Sequence, residues 1–243
     1  MTYCAATMLD AGIVFASDSR TNAGIDNVST FKKMRVFENP GERVIVTLCS
    51  GNLAVTQATL NHLEQQVLRK DGSPNLMNSN SMFDVAYQIG EALRSVREHD
   101  APFLMQNNVD SSANFIIGGQ IGEERPRLFM VYSEGNFIEA MNETPYFQIG
   151  EVKYGKPILD RVIRSDTNMD DATKCVLVSF DSTMRSNLSV GMPIDLLCYE
   201  KNSLRVTKTR RFDERDDYMR SLRDQWGDGL RRAFVQLPNF DWQ

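Results

Sequence analysis

The stretch TYCAATMLDAGIVFASDSR, residues 2–20, shows how the chain begins to fold. Residues 3–8 and 13–17 are short apolar or alternating segments, and the Asp-Ala-Gly turn between them ends at Gly12. A glycine at that place can supply the positive φ of a tight hairpin turn. The pattern therefore predicts that a β-hairpin opens the chain, with Thr2 at its very start.

Periodicity and turn signals predict the other strands and helices. Apolar residues at helical spacing indicate a helix from Leu53 to a stop at 70–72, and a second over 83–96. We expect the second to end before Pro102, because the residue preceding a proline disfavours helical geometry. Further helices are predicted at 157–164, about 170–185 and 213–232. Strand patterns recur at 34–37, 43–50, 114–120, 128–132, 137–140, 146–149, 194–200 and 204–209.

The strands fall in blocks that pairs of helices separate, which favours antiparallel sheets over alternating βα units. We expect the strands of 114–149 to form a second sheet, stacked face to face on the first with helices outside. No linker rich in Pro, Gly or Ser divides the sequence. The chain is therefore predicted to be a single domain over 1–243, with a C-terminal helical extension at about 213–232.

Composition and charge exclude several classes of function. The 243 residues include 27 Lys and Arg against 32 Asp and Glu, a net charge of −5 that predicts no nucleic-acid partner. No apolar run approaches the roughly 18 residues of a spanning helix, and no signal-peptide pattern opens the chain, so we expect no membrane partner and a cytoplasmic location. The four cysteines form no C-x-x-C pair and no phosphate-binding loop is present, so neither a metal nor a cofactor is predicted.

The candidate nucleophile is Thr2. Only two histidines are present; His62 lies on a predicted amphipathic helix and His99 at a helix end, where solvated or capping roles are expected, which argues against a Ser-His-Asp triad. Removal of Met1 is expected beside so small a residue, and it would leave Thr2 with both a hydroxyl and a free α-amine. Such an amine has an unperturbed pKa of about 7.7 to 8.0, close to working pH. Position 2 alone is weak evidence, because many proteins begin Met-Thr without catalytic purpose.

Two charged residues strengthen this hypothesis. Asp18 ends the strand that pairs with the first, and Lys33 follows shortly after it. A buried lysine beside Thr2 would lower the pKa of its amine and hydroxyl, and the aspartate would compensate the lysine charge. A purely structural salt bridge explains the pair of residues equally well.

Several motifs resemble proteasome β-type subunits. They are GIVFASDSR at 12–20, Ala-Gly at 23–24, Lys-Lys-Met at 32–34 and Ser-Gly-Asn at 50–52, after a threonine at the mature start. More narrowly, the opening Thr-Tyr-Cys and the segments 18–24, 146–151 and 154–157, with the extended C-terminus, resemble Anbu, the bacterial ancestral β subunit. The resemblance implies an α+β protein with the N-terminal nucleophile hydrolase fold, a four-layer αββα sandwich of two antiparallel sheets between helix layers.

The resemblance also implies roles for individual residues. Thr2 would be nucleophile and, through its amine, base, while Asp18 and Lys33 would tune it. Gly51 would offer its backbone N–H to the oxyanion, and glycine suits a position that substrate must approach closely. A simple strand-to-helix turn is the alternative explanation of Gly51. Asn22 stands where the family has a threonine whose backbone pairs with extended substrate, so a backbone role in substrate binding is expected.

The chain departs from the family pattern at two places. Ser189 keeps the family's late serine and is retained as a catalytic candidate, but Ser186 stands where an aspartate is expected. Glu151 stands where the family has a serine, which leaves one proton-shuttling hydroxyl unaccounted for.

Together these observations predict a threonine-type amide hydrolase, most simply a peptidase in a self-compartmentalising homo-oligomer. Its partners would be copies of itself, a peptide or protein substrate, and an unfoldase that the sequence does not identify. The alternative is a catalytically silent assembly subunit. A silent subunit would have little reason to keep Thr2, Asp18, Lys33 and Gly51 together, which favours the enzyme.

Overall fold

The computed structural model describes residues 2–22, 28–69 and 71–242. In chain order the elements are β1 (Tyr3–Leu9), β2 (Gly12–Asp18), β3 (Arg20–Asn22), β4 (Val28–Thr30), β5 (Met34–Asn39), β6 (Arg43–Gly51), α1 (Leu53–Arg69), α2 (Met82–Gln106), β7 (Ala113–Ile121), β8 (Arg127–Val131), β9 (Phe137–Glu139), β10 (Tyr146–Gly150), α3 (Lys156–Val162), α4 (Met169–Ser186), β11 (Ile194–Glu200), β12 (Lys208–Phe212) and α5 (Asp217–Val235). The mixture of helices with antiparallel strands confirms the predicted α+β class.

The opening hairpin is confirmed. Strands β1 and β2 pair antiparallel from Cys4 opposite Ser17 to Leu9 opposite Gly12. Gly12 has φ +145°, and a Cβ there would lie 1.9 Å from the Tyr199 carbonyl oxygen on β11. Because both the turn and the neighbouring strand require it, glycine is the residue that fits this position.

The partition of strands between the sheets differs from the sequence-based expectation. The first sheet has the order β10-β1-β2-β11-β12, and the second has the order β5-β6-β7-β8-β9. Strand β10, expected in the second sheet, pairs with β1 in the first sheet. Strands β5 and β6 pair with each other, and β6 pairs with β7, so both belong to the second sheet and not to that of the opening hairpin. Alternating patterns identify a pleated, half-buried segment but carry no information about its partner, which explains the error.

Four layers follow from how the faces of these sheets are buried. Along β1, Tyr3 and Ala5 pack in the cluster that also contains α4, whereas Cys4 and Ala6 pack in a cluster with β6 of the other sheet. This alternation is the two-residue period of a strand buried on both faces. The second sheet packs its outer face on α1 and α2. The predicted αββα sandwich is confirmed.

Three further boundaries differ from the predictions. Helix α2 continues through Pro102 to Gln106, where the sequence analysis ended it earlier. Pro102 is exposed, so water can satisfy the carbonyl that loses its helical partner. Strand β12 begins at Lys208 instead of 204, and α5 begins at Asp217 instead of 213. Asp216 fixes the start of α5, because its side chain accepts a hydrogen bond from the N–H of Met219.

Within the described residues, no helix is long and apolar enough to cross a membrane.

Candidate active site

Thr2 is held by backbone contacts at the edge between β1 and β10. Its carbonyl oxygen accepts a 2.7 Å hydrogen bond from the N–H of Glu151, and the next residue, Tyr3, donates its N–H to Asp18 Oδ1 at 3.0 Å. Gly150 has φ +85°, and a Cβ there would lie 2.0 Å from the Thr2 carbonyl oxygen. The glycine lets the β10 turn press directly against Thr2, so the position of this residue is set from both neighbouring strands.

A buried ion pair lies beside this start of β1. Lys33 Nζ donates to Asp18 Oδ1 at 2.6 Å and to the Arg20 carbonyl oxygen at 2.6 Å, and the two side chains are 3% and 0% exposed. Burial raises the pKa of the Asp18 carboxyl, while the Lys33 ammonium and the N–H groups of Tyr3 and Gly191 oppose that rise. The structure thus brings Asp18 and Lys33 into direct contact. Asp18 also binds the backbone N–H of Tyr3, the residue that follows Thr2.

The backbone of Lys33 is tied to the second sheet. Its carbonyl oxygen accepts a 3.2 Å hydrogen bond from the N–H of Cys49 on β6, and the Cys49 thiol lies 3.5 Å from the same oxygen. Burial raises the pKa of the Cys49 thiol to about 12, and it raises that of the Cys4 thiol as well. Raised pKa values favour the neutral form of both thiols, which makes them poor nucleophiles.

Gly51 ends β6, two residues beyond Cys49. It has φ +108°, and a Cβ there would lie 2.2 Å from the Ser112 carbonyl oxygen. Asn52 follows, and its side chain caps α1 by accepting from the N–H groups of Ala54 and Val55 at 3.0 and 3.3 Å. The turn therefore explains the glycine on structural grounds, and its predicted role as oxyanion donor stays a prediction.

The loop after α4 contributes polar groups that the sequence analysis missed. Asn187 donates through Nδ2 to Glu151 Oε2 at 2.7 Å, and its Oδ1 accepts the N–H of Ser189 at 2.9 Å. The backbone of Ser189 is thus linked to Glu151 through Asn187, and the catalytic role predicted for Ser189 stays a prediction, whereas Ser186 is exposed at the end of α4. Asn187 directly follows Ser186, the position where the family has an aspartate. A polar amide next to that position is the sequence signal that could have identified Asn187 as part of the site.

Asn22 ends a short two-stranded ribbon. The backbone of β3 pairs with β4 from Arg20 opposite Thr30 to Asn22 opposite Val28. The Ala-Gly motif at 23–24 and Met1 lie outside the described residues. The ribbon begins at Arg20, whose carbonyl oxygen binds Lys33, so β3 runs away from the ion pair.

A cavity of about 290 Å³ adjoins the same end of β3. Its apolar wall includes Met184, Val190, Met192 and Met219, and its charged wall is made of Arg20, Asp213, Glu214, Asp216, Arg220 and Arg223. The Arg20 guanidinium donates to the Leu188 carbonyl oxygen at 3.0 Å. Methionines adapt to irregular shapes, so the apolar part of the wall is the part that can adjust to a side chain.

Among residues 2–22, 28–69 and 71–242, no group of three or more His, Cys, Asp or Glu side chains is arranged to hold a metal ion.

The fold and this site together define a class of protein. Two stacked antiparallel sheets between helix layers, with a threonine at the start of β1 and a buried Asp–Lys pair beside it, are the features of the N-terminal nucleophile hydrolase fold of proteasome-type β subunits.

Comparison with solved structures identifies the particular family. A mutant of Anbu from Hyphomicrobium sp. strain MC1 is 49% identical, with 99% of this chain and 100% of that chain covered and a TM-score of 0.93. Anbu (ancestral beta-subunit) from Yersinia bercovieri is 47% identical over 99% and 100%, with a TM-score of 0.93. The helical assembly of the Anbu complex from Pseudomonas aeruginosa is 47% identical over 99% and 98%, with a TM-score of 0.94.

No known family model matches this sequence, and no curated protein does. The structural matches span nearly the whole chain at well above 30% identity. The chain belongs to the Anbu family of proteasome-type ancestral β subunits.

Proposed function

We propose that this protein is a threonine-type amide hydrolase, acting on peptides or proteins, with Thr2 as nucleophile after removal of Met1. The observation that carries the proposal is the buried ion pair of Lys33 and Asp18. The Asp18 carboxylate also accepts the N–H of Tyr3. The pair therefore places the Lys33 ammonium in a desolvated position near Thr2, which would carry both a hydroxyl and an α-amine once Met1 is removed. A charge so placed acts more strongly than it would in water.

The proposed chemistry uses Thr2 as both nucleophile and base. Its hydroxyl oxygen bonds to the substrate carbonyl carbon while its α-amine takes the hydroxyl proton, and the resulting oxyanion accepts the Gly51 N–H. The ammonium then gives its proton to the leaving amine as the C–N bond breaks. Water, activated by the same amine, hydrolyses the ester and restores Thr2. Lys33 stabilises the negative charge that develops, and Ser189 supports the amine from the loop after α4.

Extended substrate is proposed to run along the backbone of β3 up to Asn22. Strand pairing supplies main-chain hydrogen bonds that do not depend on the side chain at that position. The adjoining cavity, beside Arg20 and Met192, would take one substrate side chain.

Self-assembly is part of the proposal. The apolar residues Phe234, Val235, Leu237, Phe240 and Trp242 are all more than half exposed at the C-terminus. Contiguous apolar surface of this kind marks protein contact sites. The similar Anbu complex from Pseudomonas aeruginosa forms a helical assembly. We infer that copies of this chain are the partners, and an unfoldase, a single domain over 1–243 and a cytoplasmic location stay predictions.

The second candidate is a catalytically silent assembly subunit, which the exposed C-terminus alone would support. One experiment separates the two. Protein made without an N-terminal tag is analysed by intact-mass spectrometry, then exposed to a threonine-directed electrophile in parallel with Thr2→Ala. We expect a mass that begins at Thr2 and a covalent adduct in the wild type only. Fully retained Met1, or an equal amount of adduct in Thr2→Ala, would contradict the proposal that the protein is a threonine-type hydrolase.

A further inference from the structure

Glu151 carries a buried carboxyl side chain, and its backbone contacts Thr2 directly. Its backbone N–H donates to the Thr2 carbonyl oxygen at 2.7 Å, which fixes the two residues side by side. Its side chain is only 8% exposed. Burial of a charged group is costly unless that group is paired, so a carboxylate at this depth calls for a partner.

The carboxylate is held in a defined orientation by Asn187. The Oδ1 atom of Asn187 accepts the N–H of Ser189, which turns Nδ2 towards Glu151 Oε2 at 2.7 Å. Asn187 is itself fixed at the end of α4, where its N–H donates to the Thr183 carbonyl oxygen. The side chain of Glu151 is thus positioned by the rigid end of a helix.

The second oxygen of Glu151 has a weaker partner. Lys153 Nζ lies 3.7 Å from Oε1, which is beyond hydrogen-bond distance, and the Lys153 side chain is 66% exposed. The other charges near Thr2, on β2 and in the segment before β5, are Asp18 and Lys33, which form an ion pair at 2.6 Å. Of these two carboxylates, Glu151 therefore has the more distant cation, at 3.7 Å against 2.6 Å for Asp18.

We propose that Glu151 is the positioning residue for the α-amine of Thr2, binding that amine once Met1 is gone and directing it at the Thr2 hydroxyl. This inference rests on the proposed function. A carboxylate accepts but does not donate, and its hydrogen bonds to an amine or ammonium are the short, charge-assisted kind. Glu151 stands where the family has a serine, and the amide that holds it, Asn187, lies next to Ser186, which stands where the family has an aspartate.

Glu151 would act most strongly in the transition state. The amine becomes an ammonium as it takes the hydroxyl proton, and the neighbouring carboxylate stabilises that new positive charge before the proton passes to the leaving amine. The same interaction favours the protonated amine at rest, so Glu151 raises the pKa of the Thr2 amine while Lys33 lowers it. Removal of the Glu151 charge should lower that pKa.

The test is the titration of the Thr2 amine itself. Wild type and Glu151→Gln, which keeps the side-chain size and the backbone contact, are treated with an amine-acylating reagent across a range of pH. Acylation of the N-terminal peptide is followed by mass spectrometry. We expect the midpoint to move to lower pH by about one unit in Glu151→Gln, since one opposite charge at close range shifts a pKa by that order. The acidic limb of kcat/KM for peptide hydrolysis should move in the same direction.

Two variants serve as comparisons. Glu143→Gln removes an exposed carboxylate from the turn before β10 and should leave the midpoint unchanged. Lys153→Met removes the cation beside Glu151 and should move the midpoint to higher pH by a smaller amount; it also tests the proposal if Glu151→Gln fails to fold. A free Thr2 amine with the same midpoint in wild type and Glu151→Gln, or no upward shift in Lys153→Met, would overturn this proposal alone. Retained Met1 would instead overturn the proposed function, and this inference with it.

Discussion

The two ends of the chain are built in opposite ways. At the N-terminus, β1 lies between β2 and β10, and Tyr3, Cys4, Ala5 and Ala6 are completely buried. At the C-terminus, the first half of α5 packs through Met219 and Leu222, but every residue from Leu230 to Trp242 is exposed, Trp242 at 91%. Among the described residues, the start of β1 is covered by the chain's own strands and helices, whereas the C-terminal end leaves apolar side chains exposed. The proposed function gives catalysis to the first end and assembly to the second.

The largest effect is expected from Thr2→Ala. Loss of the hydroxyl should abolish turnover of a cleaved peptide, because no later step can proceed without the nucleophile. Sedimentation should show unchanged assembly, since Thr2 lies far in sequence from the exposed C-terminus. Thr2→Ser keeps hydroxyl and amine and should retain part of the activity. Loss of assembly in Thr2→Ala would break the separation of the two ends.

Lys33→Ala should reduce kcat by at least about 10²-fold, the order seen when a preorganised charge is removed from a desolvated site. The same change leaves Asp18 buried without its cation and should cost about 3–5 kcal/mol of unfolding free energy. The double variant Asp18→Asn with Lys33→Met distinguishes the two effects. It should recover stability in thermal denaturation without recovering activity. A Lys33→Ala variant as active as wild type would make the pair a structural ion pair only.

Gly150→Ala should disturb Thr2 without touching any side chain of the site. The position has φ +85°, and the new Cβ would meet the Thr2 carbonyl oxygen at 2.0 Å, so the turn must move. Strain of this kind costs on the order of 1–3 kcal/mol. We expect a lowered Tm together with a lowered kcat. Gly72→Ala is the matched control, because that glycine also has positive φ but no neighbour within 4 Å, and it should lower Tm while leaving kcat unchanged.

Local signals predicted the elements well and their long-range arrangement poorly. The hairpin of β1 and β2 and the start of α1 at Leu53 depend on signals that act within a few positions, and both are present in the structure, where the Asn52 side chain caps α1. The pairing of β10 with β1 joins residues about 140 positions apart, and no local pattern encodes that contact.

The same limit applies to the site. The prediction pairs Asp18 and Lys33 because Asp18 ends the second strand, Lys33 follows shortly after it, and a resemblance links them; the structure shows their contact. The contact of Asn187 with Glu151 depends on where α4 ends relative to β10, so the sequence showed only two departures from a family pattern. In the structure one of them, Glu151, is hydrogen-bonded to Asn187, whereas the other, Ser186, is exposed at the end of α4.

The smallest effect is expected at the C-terminus, and it tests the assembly half of the comparison. Leu230 and Phe234 are four residues apart on α5, so they share one exposed face. If that face is covered by another copy, the double change to serine removes apolar contact area and should weaken self-association by at least tenfold, since a fully buried side chain of this size contributes about 1.5–3 kcal/mol. Sedimentation at decreasing protein concentration measures the change.

Leu68→Ser, at a similarly exposed leucine on α1, is the control and should leave association unchanged. Labelling of Thr2 in the dissociated protein then shows whether the N-terminal site works alone. Equal association in the α5 double variant, the Leu68 variant and wild type would mean that the C-terminal apolar face is not where copies of this chain meet.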